Sequence, residues 1–168
     1  MTQHLRFFEG MKVFPLLGPV DLFGDAATAS KYLDLAHSNW ATLAVNFGAI
    51  TCDSCTVILQ ASSAATSNAS ELEIGFQYRL STAVDTDDTD AGTITTATST
   101  GVAVTASDDG KVLFVEVDPS AIAAAGGTTS EYRWVRLTLD PGDATSIIAG
   151  VTAFIETKYP ANATISST

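Results

Sequence analysis

The chain has 168 residues, 46% of them hydrophobic, which suits one domain with a sizeable core and excludes a disordered chain of low hydrophobicity. Lys and Arg number 8 and Asp and Glu number 19, so the formal net charge is −11. This charge argues against nucleic acid and anionic membranes as partners, because phosphates must be neutralised by clustered cations.

The first 30 residues are typical of an extended N-terminal arm or edge segment. Pro15, Gly18 and Pro19 interrupt any helix or central strand, and we predict one short strand near residues 12–16. An arm with several large apolar side chains needs a cover, which is either its own domain or a neighbouring subunit. The candidate interface residues of this arm are Phe7, Phe8, Phe14, Leu16 and Leu17.

Three segments that alternate apolar and polar residues follow, at 31–36, 40–49 and 55–61. Such alternation predicts half-buried β-strands, because successive side chains point to opposite faces of a sheet. Few polar residues separate the last two segments, so we predict that they pair as an antiparallel hairpin.

The turn of this predicted hairpin carries Cys52 and Cys55, as Cys-Asp-Ser-Cys. A zinc site would need two further ligands, and His4 and His37 are the only histidines. A thioredoxin-type redox pair lies at the start of a helix, which this position does not suggest. The favoured interpretation is a local disulfide or two thiols in a tight turn, with the metal and redox alternatives left open.

Residues 71–81 show the best alternation in the chain and predict one antiparallel strand with a single wet face. A long Thr-, Asp- and Ala-rich segment follows at 82–100. Its four aspartates raise the question of a calcium site, since hard cations take clustered carboxylates. The EF-hand pattern fails at Thr89 and Thr96, so a solvated acidic loop is favoured. The four aspartates are Asp85, Asp87, Asp88 and Asp90.

The most strongly β-prone part of the chain follows a short strand predicted at 101–106. Residues 111–117 are apolar at nearly every position, which predicts a central strand that can be covered on both faces. Residues 131–139 alternate, and we expect them to be its partner or near neighbour, joined by a loop across the end of the domain.

Tyr132, Trp134 and Arg136 share one face of this second strand. Aromatic residues and Arg are enriched at the centres of protein interfaces, so we consider all three as interface or ligand-binding candidates. The alternative is that this face belongs to the core.

One more long strand is predicted at 147–159, before a polar tail at 161–168. Several short strands separated by turns, with almost no helical periodicity, predict an all-β fold. We expect an antiparallel β-sandwich, of the jelly-roll or immunoglobulin-like kind, with about eight strands. The sandwich domain would span 31–160, after the arm at 1–30.

Catalytic chemistry has little support in the sequence. Two histidines and scattered acids give no positioned acid–base pair, and no nucleophile, phosphate-binding or dinucleotide-binding motif is present. We therefore expect a protein that is not an enzyme and that has no cofactor or metal. Glu9 and Lys12 interrupt the apolar positions of the N-terminus, so we do not expect a secretory signal.

The second half of the chain resembles small virion proteins encoded near the major capsid gene of tailed bacteriophages, among them capsid decoration (cement) proteins. The resemblance lies in the order of strands and turns over residues 72–160, and more loosely over 30–60. It is densest in VLFVEVDP from Val112 and in YRWVRLTL from Tyr132.

This resemblance implies a β-sandwich that is made in the host cytoplasm and attaches to the outside of the capsid. The implied partner is the major capsid protein, and the implied oligomer is a trimer. Head–tail connector and tail proteins have similar folds and remain an alternative. A carbohydrate-binding module that uses Trp134, Tyr132 or Trp40 as a stacking platform is a second alternative.

Overall fold

Alternating apolar residues place most of the chain in β-strands. A computed structural model describes residues 11–24, 26–51, 53–65, 71–81, 92–126, 132–142 and 146–157. These residues contain twelve strands and one short α-helix. The strands are β1 (Met11–Asp21), β2 (Thr28–Ala29), β3 (Leu33–Asp34), β4 (Ser38–Ile50), β5 (Cys55–Ser62), β6 (Leu72–Ile74), β7 (Phe76–Leu80), β8 (Thr95–Ala97), β9 (Val102–Val104), β10 (Val112–Val117), β11 (Trp134–Pro141) and β12 (Ile147–Thr157).

The strands form two antiparallel sheets. Sheet I has the order β1-β12-β4-β10-β7-β8, and sheet II has the order β2-β11-β5-β6. In sheet II, β3 also pairs with β11 and β9 with β5. The predicted all-β sandwich is confirmed, and the described residues hold more strands than the eight expected.

The chain passes from one sheet to the other at almost every connection. β1, β4, β7, β10 and β12 lie in sheet I, whereas β2, β5, β9 and β11 lie in sheet II. Of the jelly-roll and immunoglobulin-like arrangements, this alternation corresponds to the jelly roll, in which neighbours in sequence face each other across the core.

The predicted hairpin of β4 and β5 is therefore wrong. β4 pairs with β12 and β10 in sheet I, whereas β5 pairs with β11 in sheet II. The expected pairing of β10 with β11 is wrong for the same reason, because β10 pairs with β4 and β7. Each of these strands has one apolar face. Two such strands can bury these faces either as hydrogen-bonded neighbours in one sheet or as members of two sheets that pack face to face.

The single strand predicted at 71–81 is two strands that belong to different sheets. β6 pairs with β5 in sheet II, and β7 pairs with β10 in sheet I. Gly75 lies at the crossing, where a Cβ atom would approach the carbonyl oxygen of Ala97 to 2.8 Å. The crossing therefore requires a residue without a side chain.

The N-terminal segment contributes an edge strand to sheet I. β1 is longer than the short strand predicted near residues 12–16, and it pairs with β12 through two register irregularities, between Pro15 and Leu17 and between Leu17 and Val20. An edge position tolerates proline because one side of the strand forms no ladder. The same features discourage a further strand from adding to this edge.

The core lies between the inward faces of the two sheets. Leu43, Val115, Leu137 and Val151 come from four different strands, and all are fully buried. β10 is a central strand of sheet I, as predicted, but only one of its faces is fully buried, because its residues alternate between buried and half-buried. The face opposite Leu113, Val115 and Val117 looks outward.

The connection from β10 to β11 begins with helix α1 (Pro119–Ala125). Asp118 caps it by accepting a hydrogen bond from the backbone N–H of Ser120 at 2.8 Å, and Pro119 occupies the first turn, where no amide hydrogen is needed. Ile122 anchors the helix in the core. The helix carries the chain across the end of the sandwich, as the predicted loop does.

Candidate functional site

The arm residues nominated as interface candidates fall into two groups. Phe7 and Phe8 lie outside the described residues. Leu16 is 5% exposed and belongs to the core, and Phe14 and Leu17 pack against it. The last three side chains therefore have cover within their own domain, which was one of the two alternatives for the arm.

The three aromatic and arginine candidates do not form one exposed patch. Tyr132 precedes β11 and packs against the hydrophobic core. Trp134 is only 7% exposed and lies on the face of β11 opposite the core residues Val135 and Leu137. A ring so deeply covered is not available as a stacking platform. Arg136 lies on the same outward face and is held in an ion pair.

This ion pair belongs to a polar network that we call the Arg136 cluster. Arg136 donates through Nε to the side-chain oxygen of Gln60 at 2.9 Å and through a terminal nitrogen to Glu71 Oε2 at 2.6 Å. Thr138 donates to the same Gln60 oxygen at 2.8 Å. The Tyr32 hydroxyl donates to the other oxygen of Glu71, and the guanidinium lies 4.9 Å from the centre of the Tyr32 ring.

The cluster connects segments that are far apart in the chain. Arg136 and Thr138 are on β11, Gln60 is on β5, Glu71 precedes β6, and Tyr32 precedes β3. Burial raises the pKa of Tyr32 to about 12, and the hydrogen bond to the Glu71 carboxylate acts in the same direction. The hydroxyl thus keeps its proton over the whole physiological range and remains a donor.

A second, more exposed pair lies beside the cluster. A terminal nitrogen of Arg133 donates to Asp34 Oδ2 at 3.1 Å, which connects the start of β11 to β3. The Arg133 guanidinium also lies 5.1 Å from the centre of the Trp134 ring, a cation–π distance. Among the described side chains, no buried nitrogen or oxygen lacks a hydrogen-bond partner. On the outer face of sheet II, these contacts connect β11 to β5, β3 and the segment before β6.

A cleft of about 660 Å³ lies at one end of the sandwich. It opens where the pairing of β7 with β10 stops at Gln77 and Glu116, and helix α1 borders it on one side. We call it the Trp40 cleft. Its apolar lining includes Leu59, Ile74, Phe76, Ala97, Val117 and Ile122.

Polar groups lie at the rim of the Trp40 cleft. Trp40 is 40% exposed, and its indole nitrogen donates to Glu116 Oε2 at 2.6 Å. Thr42 donates to the same oxygen at 3.0 Å. Hydrogen bonds from Ser120 hold the pKa of Asp118 below its ordinary value, so this carboxylate at the rim carries negative charge at neutral pH. The described residues that line the cleft include no Lys, Arg or His.

The outer face of sheet I, across β1, β12, β4 and β10, is mostly apolar. The pairings place Phe154 beside Thr42, and Ala44 between Thr152 and Phe114. Val13 is 36% and Ile148 41% exposed on this face. The outward apolar residues of these strands are Val13, Ala44, Val112, Phe114, Ile148 and Phe154.

Charged residues on this face lie at its margins. Asp21, Glu116 and Glu156 occupy the ends of β1, β10 and β12, and Arg79 is on β7. Phe114 is not among the interface candidates from the sequence, because the nearly continuous apolar run of residues 111–117 indicates an interior strand. The signal was Glu116, which has the same parity as Val112 and Phe114 and so marks their shared outward face.

The remaining candidates concern metals and cysteines. Cys55 is buried at the start of β5, whereas Cys52 and the four aspartates at 85–90 lie outside the described residues. Within the described part of the chain, no three His, Cys, Asp or Glu side chains are grouped so that they could hold a metal ion. No helix of that part is long and apolar enough to cross a bilayer.

We compared the chain with protein-family models, with curated proteins and with solved structures, and none of the three comparisons gave a match.

Proposed function

We propose that the protein is a structural component of a bacteriophage capsid that decorates and stabilises the outer shell by binding the major capsid protein. The observation that carries this proposal is the outer face of sheet I. This face is mostly apolar, with Phe114 and Phe154 half-buried and Val13 and Ile148 exposed. An apolar patch with a charged margin is what a protein-binding surface presents to its partner.

The composition of the rest of the molecule supports the same role. A net charge of −11 keeps a protein soluble and prevents non-specific association at high copy number. The outer face of sheet II pairs its charges internally through the Arg136 cluster, so it offers fewer unsatisfied groups to a partner. Attachment through the outer face of sheet I would leave this polar face towards solvent.

The order of strands and turns that resembles phage head proteins also lies in this region. β10 and β12 contribute Phe114 and Phe154 to the outer face of sheet I; β10 is one of the two segments of densest resemblance, and β12 lies within the wider range of 72–160. A trimer on the capsid lattice is the assembly that the resemblance implies, and it forms part of the proposal.

Quantitative mass spectrometry of purified phage particles tests the proposal. We expect this chain at a copy number comparable to that of the major capsid protein, and we expect it to be released without loss of packaged DNA under mild conditions. A few copies per particle would assign it instead to the head–tail connector or the tail. Its absence from particles would refute a structural role.

A further inference from the structure

We propose that the Trp40 cleft binds an apolar segment of the neighbouring shell subunit that carries a lysine or arginine next to its apolar residue. This inference rests on the proposed function for the identity of the partner, and it adds a second contact to the outer face of sheet I. It also predicts the chemistry of the partner segment, which the apolar face alone does not.

The size and lining of the cleft favour an apolar side chain. A volume of about 660 Å³ lies within the range of cavities that bind ligands, roughly 300–1,000 Å³. Phe76 and Ile122 form part of its lining and are themselves nearly buried. An apolar side chain that entered the cleft would therefore lose its contact with water on the side that faces this lining.

The charges at the rim favour a cation beside that side chain. Glu116 lines the cleft and accepts two hydrogen bonds through one oxygen, Oε2. Asp118 also lines the cleft. Since the described lining contains no cation, the negative rim is complementary to a Lys or Arg of a partner, and Trp40 beside Glu116 offers an aromatic ring for the same cation.

A sugar fits this cleft less well than such a peptide. Trp40 could stack on a sugar ring, but most of the lining beneath it is aliphatic or aromatic, including Leu59, Val117 and Ile122. Hydroxyl groups placed against such a surface would lose their hydrogen bonds to water without replacement. Carbohydrate binding is therefore the competing outcome of the test.

Selection from a random peptide library on the full-length protein tests the inference, because a random library covers partner segments of any sequence. We expect enrichment of peptides with Leu, Ile or Phe next to Lys or Arg, and depletion of Asp and Glu. Ala121 lines the cleft from helix α1, so Ala121→Leu should fill it and abolish the enrichment. Ala123→Leu is the matched control, because Ala123 is exposed on the same helix and is not part of the lining.

An enriched peptide is then titrated while Trp40 fluorescence is recorded. The chain has two tryptophans, so Trp134→Phe leaves Trp40 as the only indole reporter. Glu116→Gln keeps an oxygen that can accept from Trp40 and Thr42 but removes the charge. We expect this variant to bind the peptide roughly fivefold more weakly, since a rim-exposed ion pair contributes modestly, and with less dependence on salt.

Each outcome decides the inference separately from the proposed function. No enrichment, equal enrichment on Ala121→Leu, or binding of a neutral oligosaccharide such as cellohexaose in place of peptides would overturn it. If the protein is abundant in particles and Ala121→Leu is incorporated at the normal level, the cleft is not a shell contact but the structural role stands. If the peptides bind but the protein is absent from particles, the cleft chemistry stands and the role in the capsid fails.

Discussion

The two outer faces of the sandwich differ in how their side chains are satisfied. On sheet II, Arg136, Glu71 and Gln60 pair with one another across three segments. On sheet I, Phe114 and Phe154 lie on a mostly apolar face, where Phe114 is flanked by Ala44 on one side and by Arg79 on the other. The inner faces of both sheets enclose the same core, so burial of these inner faces does not explain the difference between the outer ones.

The comparison distinguishes a face whose polar groups already have partners from a face whose apolar groups are still exposed to water. A face whose polar groups are paired internally gains little from a partner, because binding would have to break or desolvate those pairs. An apolar face exposed to water gains free energy whenever it is covered. Substitutions on the outer face of sheet II should therefore change the free energy of unfolding, whereas substitutions on the outer face of sheet I should change attachment.

The largest effect should follow from removing Arg136. Arg136→Leu removes the cationic donor of Glu71 and Gln60, which then keep only the hydroxyls of Tyr32 and Thr138, and we expect a loss of about 2 kcal/mol in the free energy of unfolding. Denaturation in urea measures it. Arg136→Leu combined with Glu71→Leu should recover part of the loss, since the uncompensated carboxylate is then gone. A loss below about 0.5 kcal/mol would mean that the cluster does not brace sheet II.

The next effect concerns attachment rather than folding. Phe114→Gln replaces a large apolar side chain of the outer face of sheet I with a polar one, and we expect roughly tenfold lower occupancy on capsids, as for truncation of an aromatic interface residue. Ile58→Gln is the matched control, because Ile58 is a half-buried outward residue of sheet II. Occupancy is measured on particles that lack the native protein. Equal losses for the two variants would remove the functional distinction between the faces.

A smaller effect should appear at high pH. The pKa of Tyr32 is about 12 in the folded protein, against 10.0 for the ordinary side chain. Its contribution to stability is therefore fully present below pH 10 and is lost as the pH rises through about 12. Above that range a phenolate would face the Glu71 carboxylate.

Tyr32→Phe isolates this contribution. Denaturation of both proteins at a series of pH values should show a steeper fall for the wild type between pH 10 and 12, because the variant has no proton to lose at this position. Parallel curves would show that the hydroxyl of Tyr32 is not held by Glu71 in solution.

The smallest effect should come from Arg133, whose side chain is 52% exposed in its pair with Asp34. Arg133→Ala should lower the free energy of unfolding by about 0.5 kcal/mol, and added salt should reduce the difference, because exposed ion pairs are screened. A loss as large as that of Arg136→Leu would show that the cation–π contact with Trp134 matters more than the ion pair.

Part of the candidate site could be predicted from the sequence. The sequence indicates Trp40, Trp134 and Arg136 as candidates, and only the structure shows that Trp134 is covered while Trp40 borders a cleft. The spacing of residues in a sequence predicts which side chains share a face. It does not predict what lies on top of that face.

The sequence by itself determined the β class and the position of most strands, because a two-residue alternation is a local property of the chain. It also determined the absence of recognisable catalytic motifs. The long strands β4, β5, β10, β11 and β12 all lie within or close to the predicted segments.

Only the tertiary structure decided how the strands pair. β4 and β5 are adjacent in sequence but lie in opposite sheets, and one continuous alternating segment is divided at Gly75 between both sheets. Pairing and sheet membership depend on the free energy of contacts between residues far apart in the chain. The local periodicity of the sequence carries no information about these contacts. The same physical reason explains why Phe114 is an outward residue of an interior strand: its neighbours in space, rather than in sequence, leave that face of the sheet uncovered.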